Sequence, residues 1–318
     1  MASIESEANR NHYAAIAANA GKMASPQAFV DFSDSSWTAL TGEPGGVDYI
    51  EVDAGGVPAL WVVPKGADDR RVLFYAHGGG FLGGSIYTHR KLVGHLAKAV
   101  GCRALLYGYP LANQGKYPAQ LEAAMAAWNW LIDQGFDTRL IALAADSCGA
   151  VLTYGVLQRL RAQGRPLPAA TLMMSGWFDM ALTAASYETN REKDPFFAKG
   201  GVDWLVTNFI GDYDRLDPEV SPLYADLSGF PPVFLQAGAD ETLVDESRMF
   251  AERARQAGVE ARLDVFDDML HSFQMMAGKA PEADDAIGRF AAWVRPRLGL
   301  PDAGDDAVSG KVAGGKAA

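Results

Sequence analysis

From Val47 onward the chain alternates short apolar runs with amphipathic segments of helix length, the pattern of a largely parallel sheet flanked by helices. Strand-like runs lie near Tyr49–Val52, Ala59–Val63, Val72–Ala76, Arg103–Tyr107, Leu140–Ala144, Ala170–Met174, Val233–Gln236 and Arg262–Phe266. Between them, Lys91–Val100, Ala119–Asp133, Ala150–Ala162, Glu246–Ala257 and Ala283–Val294 read as helices, because apolar residues recur at three- and four-residue steps. The expected fold class is α/β, with a doubly wound or hydrolase-type order. A chain of 318 residues exceeds the average domain, yet α/β folds of this size form one core with insertions, so a single domain is expected. Two stretches break the alternation, Ile4 to about Thr41 and Met180 to about Leu227. Both are helix-like and aromatic. Phe29, Phe32, Trp37, Phe196, Phe197, Trp204 and Phe209 are candidates to line a pocket, although aromatics at helical spacing are more often ordinary core. The tail from Pro301 to Ala318 is small, polar and Gly/Ala-rich, so disorder is expected there.

Charge and cysteine usage narrow the function. With 39 carboxylates against 28 Lys and Arg, the acidic balance argues against a nucleic-acid partner. Cys102 and Cys148 make no disulfide framework, and the start Met1–Glu7 lacks the basic-then-apolar pattern of a signal peptide, so a cytoplasmic address is expected. No apolar run approaches the roughly 20 residues of a membrane span, so no stable membrane insertion is expected. Five scattered histidines show no zinc-ligand spacing, so no metal is expected.

The strand-like run ending at Ala76 passes into His77-Gly78-Gly79-Gly80-Phe81, where glycines leave backbone N–H groups bare to a ligand. Such a loop suits an oxyanion hole, in which one donor is worth roughly 3–4 kcal/mol. Alone it reads equally as a tight turn; a phosphate cradle fits poorly, because no early acidic ribose partner follows Gly78, Gly80 and Gly83. Downstream, Leu140–Ala144 runs into Ala145-Asp146-Ser147-Cys148-Gly149-Ala150, and a helical pattern starts at once. A serine opening a helix is usually an N-cap, but a small-x-Ser-x-Gly turn between strand and helix is a nucleophile elbow that lifts Oγ clear of the sheet. Cys148 then counts for its N–H, since a thiol nucleophile needs a thiolate-favouring setting. His271 is the one histidine downstream of Ser147, placed after a late strand where a base would stand. The orienting acid follows Val233–Gln236, where Asp240 and Glu241 compete; adjacent side chains in an extended loop point to opposite sides.

With these residues the chain resembles the hormone-sensitive-lipase-like (bacterial family IV) α/β-hydrolase esterases from about Val47 to Leu298. Beyond His77–Phe81 and Asp146-Ser147-x-Gly149, the likeness includes Thr88-His89-Arg90, Pro166–Ala170, Ser221–Leu227, Pro231-Pro232 and His271-x-Phe273. It looks closest to the branch that includes monoterpene ε-lactone hydrolases. The resemblance implies an α/β-hydrolase fold with an eight-stranded, mostly parallel sheet, and a helical cap from about 1–45 and 180–227. It implies a cofactor-free serine esterase acting on small-molecule esters or lactones of short to medium chain length. The family's Asp/Glu-x-Leu-x-Asp-acid register falls on Glu241-x-Leu243-x-Asp245-Glu246, which favours Glu241 over Asp240 as the triad acid beside Ser147 and His271. Oxyanion donors are implied within Gly78, Gly79 and Gly80, together with Cys148. Members associate through sheet edges or caps, which leaves a homodimer open. Amidase or carbamate hydrolysis on the same triad, or a ligand-binding receptor on the same fold, are the alternatives; His271 argues against the receptor. Two departures stand out. Ala145 and Ala150 replace glycines around the elbow, and Tyr-Arg-Leu-Ala-Pro-Glu appears as Tyr109–Gln114 without its Arg and Glu, implying different support for the site.

Overall fold

The computed structural model describes residues 2–19, 22, 25–194 and 196–302, without the side chains of Pro26 and Phe29. The expectations for Phe29 and for the tail from 303 onward therefore lie outside the described residues.

All eight expected strands form: β1 (Val47–Asp53), β2 (Pro58–Pro64), β3 (Asp68–Ala76), β4 (Cys102–Tyr107), β5 (Ile141–Asp146), β6 (Ala170–Met174), β7 (Val233–Gly238) and β8 (Ala261–Phe266). They join one sheet in the order β1-β2-β4-β3-β5-β6-β7-β8. The β1–β2 and β2–β4 pairings are antiparallel, and the five from β4–β3 to β7–β8 are parallel. The central strands β5, β6 and β7 are buried along their whole length, whereas edge strand β1 alternates towards solvent. That contrast follows from coverage: a parallel strand between two helical layers needs apolar residues on both faces.

The helices are α1 (Glu7–Asn19), α2 (Pro26–Leu40), α3 (Ile86–Val100), α4 (Ala119–Asp133), α5 (Gly149–Ala162), α6 (Ser186–Thr189), α7 (Lys199–Ile210), α8 (Val244–Gln256) and α9 (Pro281–Val294). On one face, Leu92, Leu96 and Val100 of α3 and Phe290 and Val294 of α9 share a core with Leu73, Leu106 and Phe234. On the other, Leu121 and Trp128 of α4, Leu152 and Leu157 of α5 and Phe250 of α8 pack with Phe74, Leu105 and Leu143. Helix α3 starts five residues earlier than its apolar period suggests, because Ser85 and Thr88 form a reciprocal capping box. Leu140, expected to open β5, instead closes a 3₁₀ turn whose Asp137 side chain accepts the Arg139 N–H. The stretch from Met180 to Leu227 is helical mainly in α6 and α7, with a 3₁₀ turn at Pro222–Tyr224; its start is held by Asp179, whose carboxylate accepts the N–H groups of Ala181 and Thr183.

The carboxyl ends of β3, β5, β7 and β8 all open towards one rim of the sheet, the usual place for a site in such an architecture. Ala76 pairs with Ala145 across β3 and β5, which sets the glycine loop beside Ser147.

Candidate active site

Ser147 is the first residue after β5 and stands at φ +52°, in the left-handed region that strains a residue with a Cβ. The turn is over-determined: Ser147 N–H donates to Met174 O at 2.9 Å, and Ser147 O accepts from Trp177 N–H at 3.0 Å and Ala150 N–H at 3.1 Å. Gly149 lets α5 start against β3, because a Cβ there would lie 2.3 Å from Ala76 O. The same missing methyl makes room for Ala145, whose own Cβ would stand 3.1 Å from it. The Ala-for-Gly departure at 145 is thus absorbed by the glycine four residues on.

The glycine loop is anchored by Asp146. Its Oδ1 accepts the Gly78 N–H at 2.9 Å and the Tyr75 hydroxyl at 3.0 Å, and its Oδ2 lies 3.4 Å from His89 Nε2. Burial opposes ionisation of this carboxyl, but the His89 imidazole and the Tyr75 hydroxyl hold it below the ordinary range. This corrects one expectation: the Gly78 N–H is spent on Asp146 and is not offered to a ligand. Gly79 and Gly80 line the cavity, and the Gly80 backbone N–H also interacts with the buried Cys148 sulfur. Gly79 adopts φ +121°, and a Cβ on it would lie 2.1 Å from Gly83 O, so the loop closes only with glycine there. His77 stacks on Tyr109 at 4.1 Å, and burial, helped by the neighbouring His89, pushes it down to about 3, leaving a neutral ring. The Cys148 thiol is pushed up to about 12 by burial, so the group next to the serine is a protonated spacer.

His271 follows β8 and is 2% exposed; its Nδ1 lies 3.4 Å from Glu241 Oε2. Both Glu241 oxygens and His271 Nδ1 are buried without a hydrogen-bond partner among the described residues, so the two groups face each other just outside bonding geometry. Asp240 points the other way. It pairs with Arg10 and Lys193, each at 3.0 Å.

Ser147 and His271 open into a cavity of about 730 Å³, which Gly79 and Gly80 also line. Tyr13 of α1 and Trp37 of α2 form part of its wall, as do Phe196, Phe197 and Trp204; Tyr13 packs on Phe196 at 5.8 Å and Phe197 at 5.7 Å. Phe197 lies 4.3 Å from the His271 ring. Two aromatic candidates fall elsewhere: Phe209 is fully buried and stacks on Phe81 at 3.6 Å, and Phe32 is not part of the wall. Support at Tyr109–Gln114 is neutral: Ala112 N–H donates to Phe81 O at 2.7 Å, Gln114 Oε1 accepts the Leu111 N–H at 2.9 Å, and Gln120 Nε2 donates to Pro110 O at 2.9 Å. One backbone bond and two side chain-to-backbone bonds stand where an Arg and a Glu were missed. Asn113 from this segment reaches the cavity wall.

Sequence reasoning overlooked the anchoring role of Asp146, although its place just before the serine was a usable signal. It also overlooked Glu246, fully buried at the start of α8, which accepts the Phe178 N–H at 2.7 Å, the Asp179 N–H at 3.0 Å and the Tyr187 hydroxyl at 2.6 Å. No local pattern announces those partners, which lie 59 to 68 residues away. Among the described residues no cluster of His, Cys, Asp and Glu could hold a metal ion, and no helix is long and apolar enough to cross a membrane.

The family model described as alpha/beta hydrolase fold matches residues 73–275. An acetyl-hydrolase of Streptomyces hygroscopicus is 34% identical over 248 residues, covering 78% of this chain and 83% of that protein. An esterase of Acinetobacter venetianus is 34% identical over 226 residues, covering 71% of this chain and 75% of that protein. Among solved structures, an esterase from the bacterial hormone-sensitive lipase family superposes with a TM-score of 0.88 at 36% identity, covering 94% of this chain and 99% of its own. The crystal structure of EstE5 soaked with p-nitrophenyl butyrate superposes with a TM-score of 0.85 at 31% identity, covering 94% of this chain and 100% of its own.

Proposed function

Because the chain belongs to the hormone-sensitive-lipase-like family of α/β-hydrolase esterases, we propose that it hydrolyses short- to medium-chain carboxylic esters or lactones through Ser147, His271 and Glu241. The observation that carries the reading is a strained serine and a histidine facing a buried carboxylate, both opening into one largely apolar cavity. Ser147 Oγ attacks the carbonyl carbon while His271 takes its proton. Glu241 holds the imidazole tautomer and stabilises the imidazolium. The N–H groups of Gly79, Gly80 and Cys148 receive the oxyanion. His271 then protonates the departing alkoxide, and a water activated by the same imidazole releases the acid from the acyl-enzyme. The segments at about 1–45 and 180–227 act as a cap that closes the pocket, as their aromatic residues in the cavity wall support. In a lactone the alkoxide stays tethered to the acyl group, so the roomy cavity suits it as well as a linear ester.

Replacing Ser147 with Ala is expected to lower turnover of p-nitrophenyl butyrate by roughly 10³-fold or more, leaving only the oxyanion donors and binding. Near-normal turnover by purified Ser147→Ala would overturn the assignment.

A further inference from the structure

The loops carrying His271 and Glu241 hang from the ends of β8 and β7, yet much of what pins them comes from outside the sheet. From α1, Asn9 Nδ2 donates to the backbone carbonyl of His271 at 3.3 Å. From the turn that ends α6, Asn190 Nδ2 donates to the carbonyls of both Glu241 and Ala239, each at 2.9 Å. Two carbonyl acceptors establish which end of the Asn190 amide is the donor. Both asparagines are buried, at 3% and 9% exposure. Four residues beyond Asn190, Asp194 Oδ2 accepts the Thr242 N–H at 3.0 Å. On the outside, Arg10 of α1 and Lys193 converge on Asp240, and Arg10 also donates to Lys193 O at 2.9 Å. Each segment covering the cavity therefore grips a loop at the residue that matters, one asparagine apiece.

The grip falls where small displacements count. His271 Nδ1 and Glu241 Oε2 stand 3.4 Å apart, at the edge of hydrogen-bond distance and with no competing partner among the described residues. A few tenths of an ångström decides whether they bond, since such interactions weaken steeply with distance and angle.

We infer that Asn9 and Asn190 are positioning residues, which set the separation and aim of the His271–Glu241 pair and make proton transfer depend on docking of the two covering segments. The inference rests on the triad assignment above. A merely structural asparagine would cap stray carbonyls and affect stability alone.

The test compares Asn190→Ala, Asn190→Asp and Asn9→Ala with the full-length parent on p-nitrophenyl butyrate, recording kcat, KM, the thermal midpoint and the rate of fluorophosphonate labelling at Ser147. Asn190→Asp keeps the shape and removes both donors. Expected is a fall in kcat of roughly 10- to 100-fold with KM within about twofold, and labelling slowed in parallel. Combining Asn190→Ala with Glu241→Gln is expected to add nothing to the loss from Glu241→Gln alone, because both act through one pair. Unchanged kcat, a change confined to KM, or an additive loss in the double variant overturns the inference. Should one Asn190 variant fail to fold, the other and Asn9→Ala carry the same comparison. An inactive Ser147→Ala beside fully active Asn190 variants removes the positioning role and leaves the esterase reading standing; an active Ser147→Ala removes the esterase reading itself.

Discussion

Replacing Gly149 with Ala tests the contact on which the elbow is built. The added methyl would lie 2.3 Å from Ala76 O, 2.9 Å from the carbonyl carbon and 3.1 Å from Ala145 Cβ. Ordinary contact begins near 3.4 Å, so β3 and α5 must part by about 1 Å, and the nearest atoms are backbone that cannot rotate aside. That places the cost at about 3 kcal/mol, the upper part of the range for overpacked cores. The displacement acts between the glycine loop and Ser147, where about 1 Å of misplacement is worth roughly 100-fold in rate. Urea denaturation followed by tryptophan fluorescence gives the first quantity, and kcat on p-nitrophenyl butyrate gives the second. Adding Ala145→Gly relieves only the 3.1 Å contact and should recover little, since the Ala76 carbonyl remains in the way. A Gly149→Ala protein within about 0.5 kcal/mol of the parent and with unchanged kcat would refute the reasoning, as would full rescue by Ala145→Gly.

Two further outcomes follow from neighbouring carboxylates. Glu241→Gln should lower kcat by about 10⁴-fold, the scale of a triad acid converted to its amide, whereas Asp240→Asn loses ion pairs worth roughly 0.2–1 kcal/mol each and should leave most of the activity. Steady-state kinetics on the two variants decides this, and a larger loss for Asp240→Asn reverses the assignment. Burial raises the Glu246 carboxyl from 4.5 to about 8 despite its three donors, so the folded chain keeps a proton there that the unfolded chain releases. Its contribution to stability is whole below pH 4.5 and is lost as pH rises towards 8, so Glu246→Gln should flatten the fall in unfolding free energy across that window. Urea titrations at several pH values across it measure the slope, and equal slopes for variant and parent would count against the buried acid.

The parts legible without coordinates were those written in short stretches of chain. Apolar runs located all eight strands, most plainly β5, β6 and β7, because a strand covered on both faces has to be apolar whatever lies beside it. The step from β5 through Asp146-Ser147-Cys148-Gly149 into α5 is equally local as a sequence pattern, although the atom that requires glycine at 149 is the Ala76 carbonyl oxygen of β3. Boundaries shifted where a polar side chain intervened, as at Ser85 before α3.

What only the tertiary structure decided are relations between residues far apart in the chain. Gly78 and Asp146 are 68 residues apart, and their bond removes one expected oxyanion donor. Asp240 and Glu241 are indistinguishable by local chemistry; they separate because one finds Arg10 and Lys193 while the other lies beside His271. Phe209 reads like a pocket residue until Phe81 stacks on it. Asn190 carried no sequence signal at all, since its role depends on Glu241 coming within reach from 51 positions away. The sequence by itself determined the alternation, the strand-turn-helix step at Ser147 and the chain order of serine, carboxylate and histidine, because backbone sterics and periodic burial act over a few residues. Which N–H is free, which acid faces the histidine and which aromatic lines the cavity were decided by packing, because a hydrogen bond or a stacked ring depends on ångström-scale placement that only the folded chain supplies.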